Sequence, residues 1–258
     1  MDKLGISILT IYASKKIKQL YKTLLSFKKF TQNINQFVIV GGEESQTNTI
    51  KKFISENFHE QDFNKFKLFI ENDLGVSHAF NKGIFGADFS HILFCNAGDE
   101  LIFIPKINFE NQIIMPQLIQ EKKSGLNKLI IPNIKNINFP NKYVHPGSIV
   151  SKKCFIKVGI FNLRYKVSMD YDFFCRAYNN LVPITSIDNP IVKMEPSFLS
   201  GSNISPRQFY EPIEIGLRFC PLQVLRNLPL YLIIYFIRLL KVKNLLKTLD
   251  NLKYIKKK

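Results

Sequence analysis

The chain has 258 residues, of which 46% are hydrophobic, and a formal net charge of +16. This length and hydrophobic content exclude a disordered chain and suffice for one sizeable core. Residues 218–258 hold ten Lys and Arg and one acid, so this tail contributes +9 and the other 217 residues only +7. A basic tail suits an anionic membrane surface or nucleic acid, although a merely solvated surface has the same composition.

Short β-branched runs alternate with helix-periodic segments through the first 95 residues. Strands are predicted at 5–12, 36–40, 65–70 and 91–95. Helices are predicted at 15–30, 47–58 and 76–87. This alternation is typical of right-handed βαβ units and a parallel sheet, in which ligands bind at the carboxyl ends of the strands.

The pattern loosens beyond residue 104. Residues 109–148 are rich in Asn, Pro and Lys, which predicts irregular strands and loops. Two short helices are predicted at 151–161 and 170–180, on either side of a loop at 162–169. From Pro206 onward the chain is predicted to be helical, with an interruption at Pro229.

The cysteines and the N-terminus indicate a reducing compartment. No two of the four cysteines have C-x-x-C spacing, and all stand among apolar residues, which predicts reduced core thiols and a cytosolic setting. The apolar N-terminal stretch is short, contains Asp2 near its start and precedes no small-x-small cleavage site, so it predicts a first strand rather than a secretory signal.

Two acidic clusters are candidates for chemistry. Asp99 and Glu100 follow the strand at 91–95 and Gly98. Carboxylates in this position could hold Mg²⁺ or Mn²⁺ against a phosphate. The simpler interpretation is that both are turn residues that end the strand. Asp170 and Asp172 stand at the start of a predicted helix. Because residues i and i+2 do not share a helix face, one can stabilise the helix N-terminus while the other faces a cleft as a general base.

Residues 71–101 and 145–178, taken together, resemble the inverting family 2 glycosyltransferases of GT-A fold, especially the bacterial surface-polysaccharide branch. The likeness runs from about Gly5 to about Glu195. It implies an α/β GT-A (nucleotide-diphospho-sugar transferase) fold, with a mostly parallel central sheet flanked by helices and a C-terminal helical basic tail. The implied domains are a catalytic domain at 1–205, with a nucleotide-sugar half (1–104) and an acceptor half (105–205), and an extension at 206–258.

The resemblance also implies roles for individual residues. Asp99 would hold the metal, Mg²⁺ or Mn²⁺, and Asp170 would be the catalytic base. Arg176 would be the structural partner of a carboxylate, and His145 and Asp172 would lie on the acceptor side. The nucleotide-sugar donor would meet Thr10, Tyr12, Glu43, Asp73, Gly75, Asn81, Asn96, Ala97 and Gly98, with Lys82 in the segment that closes over it.

The sequence departs from this family at Gly98, where many relatives carry another acid, at Met169, where Glu is common, and at two further positions. Val40 stands where relatives carry an aspartate after the second strand, with Glu43 or Glu44 as substitutes, and His78 stands where many carry Asp. The leading hypothesis is a hexosyltransferase-type enzyme that moves a sugar from a nucleotide-sugar to a glycan or lipid-linked acceptor, with inversion, in cell-surface polysaccharide, lipopolysaccharide or capsule synthesis. The alternatives are a catalytically degenerate assembly partner and a basic nucleic-acid-binding protein.

The expected location is the cytoplasm, peripheral on the inner face of the cell membrane. The run at 228–240 is too short to span a bilayer and contains Pro229 and Arg238. Apolar residues beside the tail lysines suit a helix that lies in an anionic membrane interface, and a helix packed on the catalytic domain is the alternative.

Overall fold

The protein is described by a computed structural model at residues 3–72, 74–108, 110, 112–122, 125–136, 143–195 and 205–239. Its strands are β1 (Lys3–Tyr12), β2 (Gln36–Gly41), β3 (Phe66–Phe69), β4 (Phe89–Phe94), β5 (Glu100–Leu101), β6 (Ile113–Pro116), β7 (Leu118–Glu121), β8 (Asn127–Ile130), β9 (Ile149–Ser151), β10 (Ile184–Ile187) and β11 (Val192–Met194). Its helices are α1 (Ile17–Phe27), α2 (Thr47–Asn57), α3 (Val76–Gly86), α4 (Lys152–Val158), α5 (Met169–Asn179), α6 (Arg207–Phe219) and α7 (Pro221–Leu239).

The central layer is a seven-stranded sheet in the order β10, β6, β9, β4, β1, β2, β3. β1 pairs in parallel with β2 and β4, and β2 pairs in parallel with β3. All six residues of β2 are buried, as expected of a strand covered on both faces. α1 buries Leu20, Thr23, Leu24 and Phe27, whose i, i+3, i+4, i+7 spacing makes one apolar stripe. The mostly parallel sheet flanked by helices confirms the predicted fold class.

One strand of this sheet runs against the others. β9 pairs antiparallel with both β4 and β6, and Ile149 lies opposite Leu93. Because of this reversal, the loop that enters β9 reaches the carboxyl end of β4. Gly147 N–H donates to the Phe94 carbonyl at 2.7 Å, and Phe94 N–H donates to the Ser148 carbonyl at 3.1 Å.

A second sheet has four short strands in the order β5, β11, β7, β8. β5 begins at Glu100, directly after the acidic turn, and pairs antiparallel with β11. Glu195, which follows β11, is therefore brought to the turn that precedes β5. The sequence predicts only irregular strands between 109 and 148, and gives no sign of this sheet.

The prediction that the C-terminal helical region is interrupted at Pro229 is wrong. α7 continues through Pro229, and the break lies at Cys220, where φ is −147° and ψ is 58°. Pro221 then occupies the first position of α7, where a missing N–H costs no helical hydrogen bond. Over the described part of the chain, no helix combines the length and apolar content needed to cross a membrane.

The chain forms two compact units, Met1–Ser197 and Phe198–Lys258. The cysteines are free: Cys95, Cys154 and Cys175 are buried, and Cys220 is partly exposed.

Candidate active site

Gln46 joins the carboxyl ends of β1 and β2. Its Oε1 accepts hydrogen bonds from the Tyr12 hydroxyl at 3.1 Å and from the Glu43 N–H at 3.2 Å, and its Nε2 donates to the Ser14 carbonyl at 3.1 Å. Burial, with smaller contributions from Tyr21 and Glu43, raises the pKa of Tyr12 to about 12, so its hydroxyl remains a neutral donor.

Gly42 is required beside this junction. Its φ is +80°, and a Cβ at this position would collide with the Tyr12 hydroxyl. Sequence reasoning missed both Gln46 and Gly42, although the pair of glycines after β2 marks a backbone that must turn sharply.

Asn96 to Asp99 form a tight turn after β4, held by Thr23 of α1. The Gly98 N–H donates to the Thr23 hydroxyl at 2.9 Å, and this hydroxyl donates to the Asp99 carbonyl at 2.7 Å. Ala97 N–H donates to the Ile11 carbonyl at 3.1 Å, which joins the turn to β1. The turn is therefore fixed largely by hydrogen bonds to its backbone.

Asp99 is buried at this turn. Its Oδ2 accepts the Asn96 N–H at 3.2 Å, and only 5% of the residue is exposed. Burial is the main reason that its pKa is raised to about 7; the N–H groups of Asn96 and Glu195 oppose the shift, and the Glu195 carboxylate adds to it. A buried carboxylate of this kind gains from a nearby cation.

Glu195 supplies a second carboxylate that sequence reasoning missed. A Cβ added to Gly98 would lie 2.6 Å from Glu195 Oε2 at the end of a flexible side chain, and the φ of +103° at Gly98 is the firmer reason for glycine here. Lys22 Nζ lies 3.5 Å from Glu195 Oε1. Within the described ranges, no three His, Cys, Asp or Glu side chains are grouped so as to hold a metal ion.

Four buried polar atoms at this edge of the sheet have no hydrogen-bond partner among the described residues. They are Thr10 Oγ1, Asn96 Oδ1, His145 Nε2 and Ser148 Oγ. Thr10 lies near the end of β1, Asn96 follows β4, and the other two belong to the loop that enters β9. Because buried polar atoms are normally paired, Thr10 and Asn96 indicate an edge that is completed by water or a ligand, whereas His145 and Ser148 lie in the interior.

Asp73, Gly75, Asn81 and Lys82 belong to the segment expected to close over the donor. The described residues of this segment make contacts within the protein. Asn81 Nδ2 donates to the Phe161 carbonyl at 2.8 Å, and Asn81 Oδ1 accepts the Phe161 N–H at 2.9 Å. Lys82 forms an ion pair with Glu71. Gly75, with φ +115°, directly precedes α3, and Asp73 lies outside the described residues.

Asp170 lies in the first turn of α5 and is half-buried. Its Oδ1 accepts the Tyr143 hydroxyl at 3.2 Å and the Tyr171 N–H at 2.8 Å. Tyr143 belongs to the same loop as Gly147, which bonds to the end of β4. Residues 143–148 therefore connect the end of β4, from which the Asp99 turn follows, to the start of α5.

The structure places Asp172 in the interior and not on an acceptor side. Asp172 has no exposed surface, and Arg176 Nε donates to its Oδ2 at 2.9 Å. The Arg176 guanidinium also donates to the carbonyls of Val158, Gly159 and Ile160, so it ties α5 to the end of α4. Of the two acids, Asp170 faces outward and Asp172 inward, because they lie on different helix faces.

His145 is likewise enclosed. It is 5% exposed and contacts the rings of Phe80, Phe94, Phe161 and Phe174 at centroid distances of 4.6–6.2 Å. Burial lowers its pKa to about 3, so the ring is neutral. An enclosed neutral ring cannot contact an acceptor in this arrangement.

A cavity of about 510 Å³ lies elsewhere, beside Lys28, His59, Asp62 and Lys65. These residues precede β2 and β3, so the cavity is at the amino ends of these strands, opposite the candidate site.

Solved structures of S. aureus TarS share this fold. TarS 1–349 in complex with UDP-GlcNAc matches with a TM-score of 0.60 and 16% identity, over 83% of this chain and 65% of that chain. TarS 1–349 in complex with UDP matches with a TM-score of 0.59 and 15% identity, over 83% and 64%. The chain thus spans slightly less than two thirds of these neighbours, and the likeness supports the predicted GT-A fold. No protein-family model and no curated protein matches the sequence.

Proposed function

We propose that this protein is an inverting glycosyltransferase, of the family 2 type, that moves a sugar from a nucleotide-sugar donor to a glycan or lipid-linked acceptor in the synthesis of a cell-surface polysaccharide. The observation that carries the proposal is the loop at 143–148, which joins Phe94, the last residue of β4 before the Asp99 turn, to Asp170 at the start of α5. The TarS neighbours bind UDP-GlcNAc and UDP, which supports a nucleotide-sugar donor.

The donor is proposed to lie over the ends of β1, β2 and β4. Thr10 Oγ1 and Asn96 Oδ1 offer hydrogen-bonding atoms that have no partner among the described residues, and Tyr12 offers a neutral phenol. Gly98 has no side chain to obstruct a diphosphate. Asn81 is proposed to act indirectly, by fixing the Phe161 backbone, since both ends of its amide are occupied.

Asp99 and Glu195 are the carboxylates proposed to hold Mg²⁺ or Mn²⁺. The donor set fits, because carboxylate oxygens are the ligands that these hard cations prefer and because the buried Asp99 gains from a positive charge. A bound divalent cation would stabilise the negative charge of the departing nucleoside diphosphate.

Asp170 is proposed to act as the general base. The acceptor oxygen attacks the anomeric carbon, its proton passes to the Asp170 carboxylate, and the bond to the diphosphate breaks with its electron pair going to the leaving oxygen. Because attack and departure occur on opposite faces of the sugar, one displacement inverts the configuration. The hydrogen bonds at Asp170 Oδ1 support this role, since they hold the carboxylate in one orientation.

The decisive experiment measures the release of the nucleotide from a panel of sugar donors, with Mn²⁺ and with a chelator. The product is the nucleoside diphosphate for UDP-, GDP- and dTDP-sugars and CMP for CMP-sugars. Wild-type protein is expected to hydrolyse one donor slowly, and Asp99→Ala or chelation should lower this rate by about 10²-fold or more. Glu56→Ala, on the exposed face of α2, is the matched control and should leave the rate unchanged. No donor turnover with any sugar, or equal turnover by Asp99→Ala, would contradict the proposal.

A second candidate is a donor-binding partner without catalytic activity. Val40 favours it, because this residue is 1% exposed and offers no polar group where relatives carry an aspartate. Thermal shift by a nucleotide-sugar without its turnover would favour this candidate.

We also propose that the C-terminal unit attaches the protein to an anionic lipid surface at the cytoplasmic face of the membrane. Leu222, Leu225, Leu232 and Ile233 of α7 are 41–81% exposed, and their spacing places them on one stripe of the helix. α7 contains no acid, and the sequence from 218 to 258 carries +9. The tail lysines after residue 239 lie outside the described residues. An apolar stripe in a basic segment suits the interface of an anionic bilayer.

Vesicle sedimentation tests this attachment. The protein is expected to bind vesicles of phosphatidylcholine with phosphatidylglycerol at least about tenfold more tightly than vesicles of phosphatidylcholine alone. Leu222→Glu with Leu225→Glu should lower binding by a similar factor, since two apolar contacts are lost and two negative charges gained. Ile156→Glu, at an 82% exposed position of α4, is the control. Equal loss in this control would contradict the assignment to α7.

A further inference from the structure

The phenol of Tyr143 lies directly beside the proposed base. Its hydroxyl donates to Asp170 Oδ1 at 3.2 Å, and the Tyr171 N–H donates to the same oxygen at 2.8 Å. Two donors on one oxygen fix the rotation of the carboxylate about its Cβ–Cγ bond.

The ring of Tyr143 is held by the helix that carries Asp170. It stacks on Tyr171 with a centroid distance of 5.7 Å and an interplanar angle of 7°, and it contacts Phe174 at 5.3 Å. The donor and the acceptor of the Tyr143–Asp170 hydrogen bond are therefore both fixed to α5. A rigid arrangement of this kind is what a base needs in order to meet an acceptor hydroxyl with little rearrangement.

Tyr143 remains a donor over the whole useful pH range. Burial, and then the negative charge of Asp170, raise the pKa of Tyr143 well above its usual value. Besides Asp170, the α5 groups Cys175 and Tyr171 also raise the pKa of Tyr143. On its own loop His145 is neutral, and further along α5 Asp172 is paired with Arg176.

We propose that Tyr143 is a positioning residue for the catalytic base: its hydroxyl fixes the orientation of the Asp170 carboxylate and stabilises its ionised form before transfer. The inference rests on the proposed function. In the transfer step the acceptor O–H bond breaks, its proton passes to the Asp170 carboxylate, and the Tyr143 hydroxyl keeps its own proton throughout.

The test is the pH dependence of kcat/KM for sugar transfer by Tyr143→Phe, which keeps the stacked ring and removes the hydroxyl. A hydrogen bond to the ionised form lowers the pKa of a carboxyl. Its loss should therefore move the acid limb of the kcat/KM profile, where activity falls as the base becomes protonated, to higher pH by about one unit. The value of kcat is expected to fall about tenfold, with the KM for the donor unchanged. Tyr178→Phe, on the same helix, removes a hydroxyl that donates to the Lys135 carbonyl and should leave the profile unchanged.

A second variant keeps the inference testable if Tyr143→Phe folds poorly. Replacement of Tyr143 by 3-fluorotyrosine retains the ring and strengthens the donor, so the acid limb should move to lower pH. An acid limb that stays in place in both variants, or that moves equally in Tyr178→Phe, would overturn the inference. Asp170→Asn separates the two claims: if it stays active, the proposed base fails; if it is inactive while Tyr143 variants keep the wild-type profile, only the role of Tyr143 fails.

Discussion

Asp170→Asn is expected to lower kcat/KM for sugar transfer by about 10³-fold, with the affinity for the nucleotide-sugar unchanged. Asn has nearly the same shape and can still accept the hydrogen bonds from Tyr143 and from the Tyr171 N–H, so the first turn of α5 should be preserved. It cannot take up a proton at neutral pH. The loss therefore isolates proton transfer from binding and folding.

The measurement is initial-rate transfer to an acceptor, together with donor binding by calorimetry. Asp188→Asn, at an exposed carboxylate that bonds only weakly to Gln117 at 3.4 Å, is the matched control and should retain full activity. If Asp170→Asn transfers sugar at more than about a tenth of the wild-type rate, Asp170 is not the base, because a lost general base costs about 10²-fold at least.

Arg176→Met is expected to lower the free energy of unfolding by about 3–5 kcal/mol. The substitution leaves the fully buried Asp172 carboxylate without its partner and removes the donor that serves the carbonyls of Val158, Gly159 and Ile160. Met retains the long apolar stem of Arg176. The loss of stability therefore reports mainly the uncompensated Asp172 charge and the carbonyls that lose their donor.

Urea unfolding of single and double variants measures this effect. Asp172→Leu with Arg176→Met should recover part of the stability, since replacing both members of a buried pair costs less than removing one. Lys52→Met is the control, because Lys52 and Glu56 form an exposed pair at the same i, i+4 spacing; it should cost at most about 0.5 kcal/mol. A cost for Arg176→Met no larger than this control would contradict a structural role for the pair.

The sequence predicts the first half of the fold well because its signals there are local. β2 is a fully buried run, and α1 repeats apolar residues at helical spacing, so neither needs a distant contact to be recognised. β5 has two residues and β11 three; β5 pairs with β11, and β11 pairs with both β5 and β7. Strands of this length are specified by tertiary contacts, and so are the reversal of β9 and the second sheet.

The candidate site shows the same limit at the level of side chains. Asp99 and Asp170 could be predicted from the sequence by their residue types. The structure connects their surroundings through the loop at 143–148. Glu195 and Tyr143 were missed because their importance depends on neighbours far away in the chain. Asp172 was assigned to the wrong side of its helix, since a sequence does not reveal which of two nearby acids faces an arginine in the interior.

The pairing of β9 with β4 decides how the protein can be divided. A fragment that ends at residue 104 would retain β1–β4 but leave one edge of β4 unpaired, beside Ile92, Leu93 and Phe94, which are fully enclosed in the intact chain. Open apolar edges recruit strands from other molecules, so this fragment is expected to aggregate. Truncation after the first four strands is therefore a poor route to a minimal nucleotide-binding module, and any shortened gene must extend past Ser151.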